Sequence, residues 1–287
     1  MIRSMTGFAR TECQLPWGTL TWELRSVNHR YLDLYLRLPE ELRRLENDSR
    51  TRLSARLGRG KVEATLLFQA TPGENGLQLD EPLLQALIDA AERISARLQR
   101  PAPLSATDLL RWPGVVTSAV PDLEALQREA LDLLESAVDE LVATREREGA
   151  RLAELIRERL EAMEPLVEQI RRRRPQVIQA QGEKLRERLA KLQIEADPQR
   201  LEQEIALLAQ RLDVDEELDR LQAHIQEVHR LLGSDKPVGR RLDFLMQELN
   251  REANTLASKS ADAETTRAAV ELKVLIEQMR EQIQNIE

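Results

Sequence analysis

Near the N-terminus the dominant pattern is an alternation of apolar and polar positions. In Trp17–Asn28, Leu20, Trp22 and Leu24 share one face, and Thr19, Thr21, Glu23 and Arg25 the other. In Tyr31–Leu38 the alternation is cleaner: Leu32, Leu34, Leu36 and Leu38 oppose Tyr31, Asp33, Tyr35 and Arg37. Period two predicts half-buried strands. Asn28-His29 between the two runs suits a tight turn, so a hairpin is expected there. Pro39 ends the strand, and Leu42, Leu45, Leu53 and Leu57 then space as a helix over 40–57, with Gly58 and Gly60 at its end. Lys61–Ala70 reads as a further strand. Pro72, Gly73, Asn75 and Gly76 mark 71–82 as loop. A helix is expected at 83–98, broken by Pro101 and Pro103, and a short helical piece over Thr107–Trp112 stops at Pro113-Gly114.

From Asp122 the period changes to that of a helix. Leu123, Leu126, Leu131, Leu134, Val138, Leu141, Leu152, Ile156 and Leu160 recur at helical spacing. Pro165 and Pro175 predict a long helix that is kinked or folded into a hairpin. The stripe resumes through Leu185, Leu189 and Leu192 and stops near Asp197-Pro198. One helix is expected over 199–232, a loop over 233–239, and helices over 240–257 and 262–286. Strands first and helices afterwards define an α+β fold. The expected organisation is an N-terminal mixed sheet-and-helix domain at 1–120, a long helical segment at 121–198 and a helical C-terminal domain at 199–287. The stripe Leu272, Leu275, Met279, Ile283 and Ile286 runs to the end of the sequence. A free end would fray, so this stripe is expected to dock, within the chain or across subunits.

Composition sharpens that picture. The 287 residues suffice for a sizeable core, yet only 3% are aromatic, 41% are hydrophobic and 32% are charged. That balance suits long amphipathic helices with further burial between subunits. A lone cysteine, Cys13, excludes an internal disulfide and a cysteine zinc site. No apolar run approaches the ~20 residues of a membrane span, and MIRSMTGFAR lacks the apolar segment of a secretory signal. A cytoplasmic location without membrane partners is the expectation. The net charge of −8 argues against bulk attraction to nucleic acid. Residues 1–70, however, carry 12 Lys/Arg against 8 Asp/Glu. This basic region could hold a polyanion locally, although solvated helix faces explain so small an asymmetry equally well. The chain contains no phosphate-binding Gly-rich loop, no dinucleotide fingerprint, no HExxH and no GxSxG.

Three constellations offer chemistry. The first is Asp213 to Asp219, where Asp213, Glu217, Arg220 and His224 would share one face of a helix, with Glu216 and Asp219 beside them. Carboxylates and an imidazole suit Mn²⁺ or Mg²⁺; a solvated face pairing with Arg211 and Arg220 suits the pattern as well. The second is 239–260. An apolar stripe (Leu242, Leu245, Met246, Leu249, Ala253, Leu256) backs a polar face of Arg241, Glu248, Glu252, Thr255 and Lys259, and Asn250 and Asn254 stand four apart. Phosphate-binding cations beside metal-binding acids are what phosphodiester cleavage requires, and packing with i to i+4 charge pairs is the competing reading. The third is the sheet: Arg25, Arg37, Tyr31, Tyr35 and Lys61 on one face could stack bases and hold phosphates, or be ordinary sheet surface. The histidines are His29, His224 and His229, and with so few a hydrolytic pair is only weakly signalled.

Longer blocks narrow the choice. MIRSMTGFAR, WELRSVNHRYLDLYLRLP at 22–39, RGKVE at 59–63, RWPGV at 111–115, RLDVDEELDRLQAHI at 211–225, GRRLDFLMQELNREANTLASKS at 239–260 and the terminal LKVLIEQMREQIQNIE resemble the YicC/YloC family over essentially the whole chain. The resemblance implies a bacterial endoribonuclease, dependent on a divalent metal and working as a homo-oligomer, a hexamer, that clamps RNA inside the assembly. RNA, further copies of the chain and other RNA-decay proteins are the implied partners.

With that resemblance the residues take provisional roles. Asp213, Glu216, Glu217, Glu248 and Glu252 are candidates to hold Mn²⁺ or Mg²⁺. Glu217, His224, Glu248 and Glu252 are the catalytic candidates. Arg3, Arg25, His29, Arg30, Arg37, Lys61, Arg240, Arg241, Arg251 and Lys259 are candidates to grip RNA. Metal-assisted attack by water, and attack by the RNA 2′-OH with His224 as base, are both open; the first leaves a 5′-phosphate and the second a cyclic 2′,3′-phosphate. A non-catalytic RNA-binding adaptor and a purely structural helical scaffold are the alternatives.

Overall fold

The computed structural model describes residues 2–70, 78–98, 104–117, 123–192, 197–234 and 236–287. The fold is α+β, with strands at the N-terminus and helices thereafter. The chain forms two compact units: one comprises 8–26 and 31–142, the other 1–7, 27–30 and 143–287.

In the first unit, β1 (Gly7–Leu15), β2 (Gly18–Val27), β3 (Leu32–Arg37) and β4 (Gly60–Ala70) form a sheet in the order β1-β2-β4-β3. A 3₁₀ turn (Glu40–Leu45) and helix α1 (Glu46–Arg56) connect β3 to β4. The inner face places Leu20, Trp22, Leu24, Val62, Ala64 and Leu66 against the start of α4 (Leu123–Lys191), where Leu126, Ala130, Leu134, Val138 and Leu141 are buried. Trp22 is fully buried, and its Nε1–H donates to the Ala130 carbonyl at 2.8 Å, which satisfies the indole inside the core. Arg52 and Arg56 of α1 pair with Glu135 and Asp139 at 2.8 and 2.5 Å. A short ladder, β5 (Gln78–Leu79) with β6 (Val116–Thr117), accompanies α2 (Glu81–Ser95) and α3 (Ala106–Leu110).

The second unit is helical: α4 from residue 143 onward, α5 (Pro198–Arg211), α6 (Asp215–Leu232), α7 (Gly239–Lys259) and α8 (Ala263–Ile283). Its core joins Ile156, Leu160, Met163 and Ile170 of α4 to Leu218, Leu221, Ile225 and Val228 of α6, Leu242, Met246, Leu249 and Leu256 of α7, and Leu272, Ile276 and Met279 of α8. The terminal segments are tied into this unit. Ser4 and Ile286 form an antiparallel bridge. Arg145, 1% exposed, donates to the Ser4 carbonyl at 2.5 Å and to Glu287 at 2.8 Å. Burial lowers the Arg145 pKa, Glu287 opposes that, and Arg3 adds to it. Gly149 and Gly239 permit the close approach: a Cβ at either would collide with the backbone oxygen of Ile2 or Ile286. The C-terminal stripe thus docks within the chain, with Leu272, Met279, Ile283 and Ile286 all buried and Leu275 partly so.

Three local expectations are overturned. The hairpin at Asn28-His29 does not form, because β3 pairs in parallel with β4 rather than with β2. The register Leu34↔Val62 and Leu36↔Ala64 aligns apolar positions across the pair, and a parallel pair needs the crossover that α1 supplies. Pro165 and Pro175 lie inside an unbroken α4 of 69 residues, so the hairpin alternative falls and the long helix stands. A proline forfeits one backbone hydrogen bond and costs about 3 kcal/mol, but Leu160, Met163, Val167 and Ile170 around Pro165 are buried and hold the helix. The single helix expected over 199–232 is two, α5 and α6, with residues 212–214 between them. Arg174 pairs with both Asp213 and Asp215, and Lys259 donates to the Asp213 carbonyl at 2.8 Å, so tertiary contacts fix the break. The loop expected at 71–82 and the breakers Pro101 and Pro103 fall wholly or partly outside the described residues.

Candidate functional site

Helix α6 buries Leu218, Leu221, Ile225 and Val228, an apolar stripe that turns Glu217 and His224 toward one flank. Helix α7 buries Leu245, Leu249, Ala253 and Leu256, and Glu248 and Glu252 stand four residues apart beside that stripe. Packing of α6 on α7 brings His224, Glu248 and Glu252 together: one ligand atom from each lies within 4.8 Å of the others. Glu252 is 3% exposed, with Oε1 3.5 Å from Arg220 Nη1. Glu248 lies 3.9 Å from Arg251. A buried carboxylate needs a positive partner, and here the nearest guanidinium is half exposed and shared with Glu216.

The donor set is one imidazole nitrogen and two carboxylates. Such ligands bind first-row divalent ions at ~2.0–2.2 Å, so the donors of one ion would lie at most ~4.4 Å apart, close to the 4.8 Å limit found here. Imidazole favours Mn²⁺ over Mg²⁺, which prefers oxygen. The chemistry of the three residues therefore fits a divalent metal.

The other acidic candidates are engaged elsewhere. Asp213 precedes α6 instead of sharing its face; its Oδ1 accepts from the Asp215 N–H at 3.1 Å and pairs with Arg174 at 2.8 Å. Glu216 pairs with Arg220, and Glu217, 12% exposed, pairs with Lys259 at 2.7 Å. Asp215, Glu216 and Glu217 fill the first turn of α6, where carboxylates offset the positive end of the helix dipole. Arg174 is not distinguished by sequence spacing: it closes the run Arg171–Arg174, whose four guanidiniums look alike until the fold selects one.

The basic candidates separate in the same way. Arg3 pairs with Glu146 at 2.7 Å, and Lys259 is held by Glu217. Arg240 and Arg241 are exposed in the first turn of α7, Arg241 lying 5.4 Å from the Phe244 ring centroid. Arg251 is exposed. His29 and Arg30 are exposed in the segment after β2. On the sheet, Arg25 of β2, Tyr35 and Arg37 of β3 and Lys61 of β4 point away from the buried face, Asp33 aligns with Lys61, and Tyr35 aligns with Glu63. Arg37 stacks on Tyr35 at 5.1 Å. That face mixes cations, an aromatic ring and two acids.

The two family profiles that match are described as "Endoribonuclease YicC-like, N-terminal region", over residues 2–154, and "Endoribonuclease YicC-like, C-terminal", over residues 170–287. Proteins named "Probable endoribonuclease YicC" are similar along their full length: that of Haemophilus influenzae is 48% identical over 288 residues, and that of Clostridioides difficile 33% over 293, each alignment covering 100% of both chains. The chain belongs to the YicC-like endoribonuclease family, as its sequence blocks led us to expect. No helix among the described residues is long and apolar enough to cross a membrane.

Proposed function

We propose that this chain is an endoribonuclease that cleaves RNA phosphodiester bonds with a divalent metal, Mn²⁺ or Mg²⁺, held by His224, Glu248 and Glu252, and that it works as a cytoplasmic homo-oligomer, a hexamer, that clamps its RNA. The observation that carries this reading is the convergence of those three side chains from two helices. The names of the full-length relatives support the activity. Exposed Phe244, Val270 and Val274 on α7 and α8 support self-association.

Each side chain has a task under this reading. When bound, a divalent ion supplies positive charge that stabilises the extra negative charge on a phosphoryl group in transit. Glu252, anchored in the α7 stripe, fixes the buried side of the donor set, and Glu248 closes its exposed side. His224 either completes that set or accepts a proton from the attacking hydroxyl. Arg251 stands on the solvent side of Glu248, where a guanidinium can hold a phosphate. Glu217 and Lys259 act as a pair that positions the start of α6 against the end of α7. The exposed cations Arg25, Arg37 and Lys61 grip RNA away from the reacting bond, with Arg240 and Arg241 as further contacts.

The test is cleavage of labelled RNA by the purified protein in Mn²⁺, in Mg²⁺ and in EDTA, with light scattering to give the subunit count. Cleavage that EDTA abolishes, together with loss of Mn²⁺ binding in Glu252→Gln, is expected. Cleavage in EDTA equal to that in Mn²⁺ would remove the metal. Tight RNA binding without cleavage under every condition would leave the adaptor role.

A further inference from the structure

On α7, the polar surface continues past the carboxylates. Stepping around the helix from Glu248 and Glu252, the next pair four residues apart is Arg251 and Thr255, and the next is Asn250 and Asn254. The last two pairs, with Gln247, line one wall of a groove of about 450 Å³ between α7 and α8; Arg280 of α8 lines the other, and Met246 also borders it. We infer that this groove is a base-reading subsite that takes one purine of a single-stranded RNA, next to the bond that the metal cluster would cut. The inference rests on the proposed RNA-cleaving function and assigns it a specificity determinant.

Four observations converge. First, the groove holds a matched donor and acceptor. Asn254 Nδ2 donates to Asn250 Oδ1 at 2.8 Å, which leaves the Asn250 N–H pair and the Asn254 oxygen free to meet a ligand. Second, Arg280 lines the α8 wall with a guanidinium that is partly exposed, and its ion pair with Glu277 is long, 3.6 Å from Nη1. The exposed nitrogens of such a guanidinium can donate to an acceptor in the groove. Third, Met246, itself fully buried, closes the floor of the groove with an apolar side chain. Fourth, the volume lies in the range of small-ligand sites, ~300–1,000 Å³, and the groove is open along one side, which admits a splayed-out base and not a stacked duplex.

The chemistry selects a purine. Its N7 and its six-position substituent form a two-point edge that an amide or a guanidinium reads, amide for adenine and guanidinium for guanine. Pyrimidines lack that edge. The α7 helix is ~10–12 Å across with its side chains, so the groove and the carboxylates lie within reach of adjoining nucleotides. Arg251 and Thr255, between them, face the connecting phosphate.

The experiment measures binding and cleavage separately. Full-length protein in EDTA is titrated with labelled oligouridylates carrying one internal adenosine, guanosine or cytidine. A single purine is expected to tighten binding about tenfold over the all-uridine oligomer, equivalent to one two-point base contact. Asn250→Ala with Asn254→Ala, and separately Arg280→Lys, should bring that preference to within about twofold while the all-uridine affinity and the thermal melt stay unchanged; the lysine keeps the charge and lacks the planar two-point edge. No purine preference in the unsubstituted protein, or a preference that survives in both variants, overturns the inference. Glu248→Gln with Glu252→Gln should abolish cleavage and keep the purine preference. If it keeps both, the metal cluster fails as the cleavage site and the groove stands.

Discussion

The outer face of the sheet and the α6–α7 flank hold the same residue types and treat them differently. On the sheet, Arg25 and Lys61 form no ion pair among the described residues, and Arg37 stacks on Tyr35. On the helices, Arg174, Arg220 and Lys259 are each tied to carboxylates. Unpaired cations on an open face attract polyanions at long range and are screened by salt. Cations locked against acids hold elements in register and leave little net charge. Thus the counts of Lys and Arg in the two regions say less about RNA than the pairing does. Within the helical region, the buried Glu252 stands beside His224 and Glu248 with only a long, 3.5 Å pairing to an Arg220 that Glu216 also holds.

The sharpest way to break the comparison is at Glu252. Glu252→Gln should lower cleavage at least about 100-fold, the scale of losing a catalytic electrostatic contact, with an unchanged melt, whereas Glu217→Gln should cost far less because its work is structural. Equal losses in the two would erase the distinction drawn between them. Next in size is the terminal tie. Arg145→Ala leaves Glu287 half-buried without its cation, and removal of one partner of a buried pair costs about 3–5 kcal/mol; denaturant unfolding measures it. On the sheet, Arg25→Ala, Arg37→Ala and Lys61→Ala together should reduce the slope of log affinity against log salt by about 2, near 0.7 per cation on single strands, and leave the cleavage chemistry of bound RNA unaltered. An unchanged slope would show that RNA does not touch that face.

The smallest effect concerns Asp262, the N-cap of α8, whose side chain accepts from the Glu264 N–H. Burial pushes its carboxyl up, and hydrogen bonds from Thr265, Arg173 and Glu264 outweigh this and hold it below the ordinary value. A depressed carboxyl contributes stability that is complete above its unfolded pKa of about 3.9 and is lost as pH falls through the folded value. Asp262→Asn should cost about 1 kcal/mol at neutral pH, and the difference from the parent should shrink as the pH drops below 4.

Much of the architecture was legible beforehand. Alternation along β2, β3 and β4 and the 3.6-residue spacing of α4, α7 and α8 follow from which side chains must leave water, and burial follows those patterns at most positions, with exposed Leu123 and buried Thr21 and Glu252 as departures. Glu248 and Glu252 could be placed on one helix face by spacing alone. The meeting with His224 could not, because it depends on how α6 packs on α7, a matter of side-chain volumes rather than of period. The parallel pairing of β3, the survival of α4 through two prolines, the break at 212–214 and the burial of Arg145 belong to the same class. Local sequence determined each element's preferred conformation and apolar face, since those depend on neighbours three or four residues away. Tertiary packing decided which faces met, which charges were neutralised and which local preferences were overruled, since burial of a shared core outweighs a turn signal or a single lost backbone hydrogen bond.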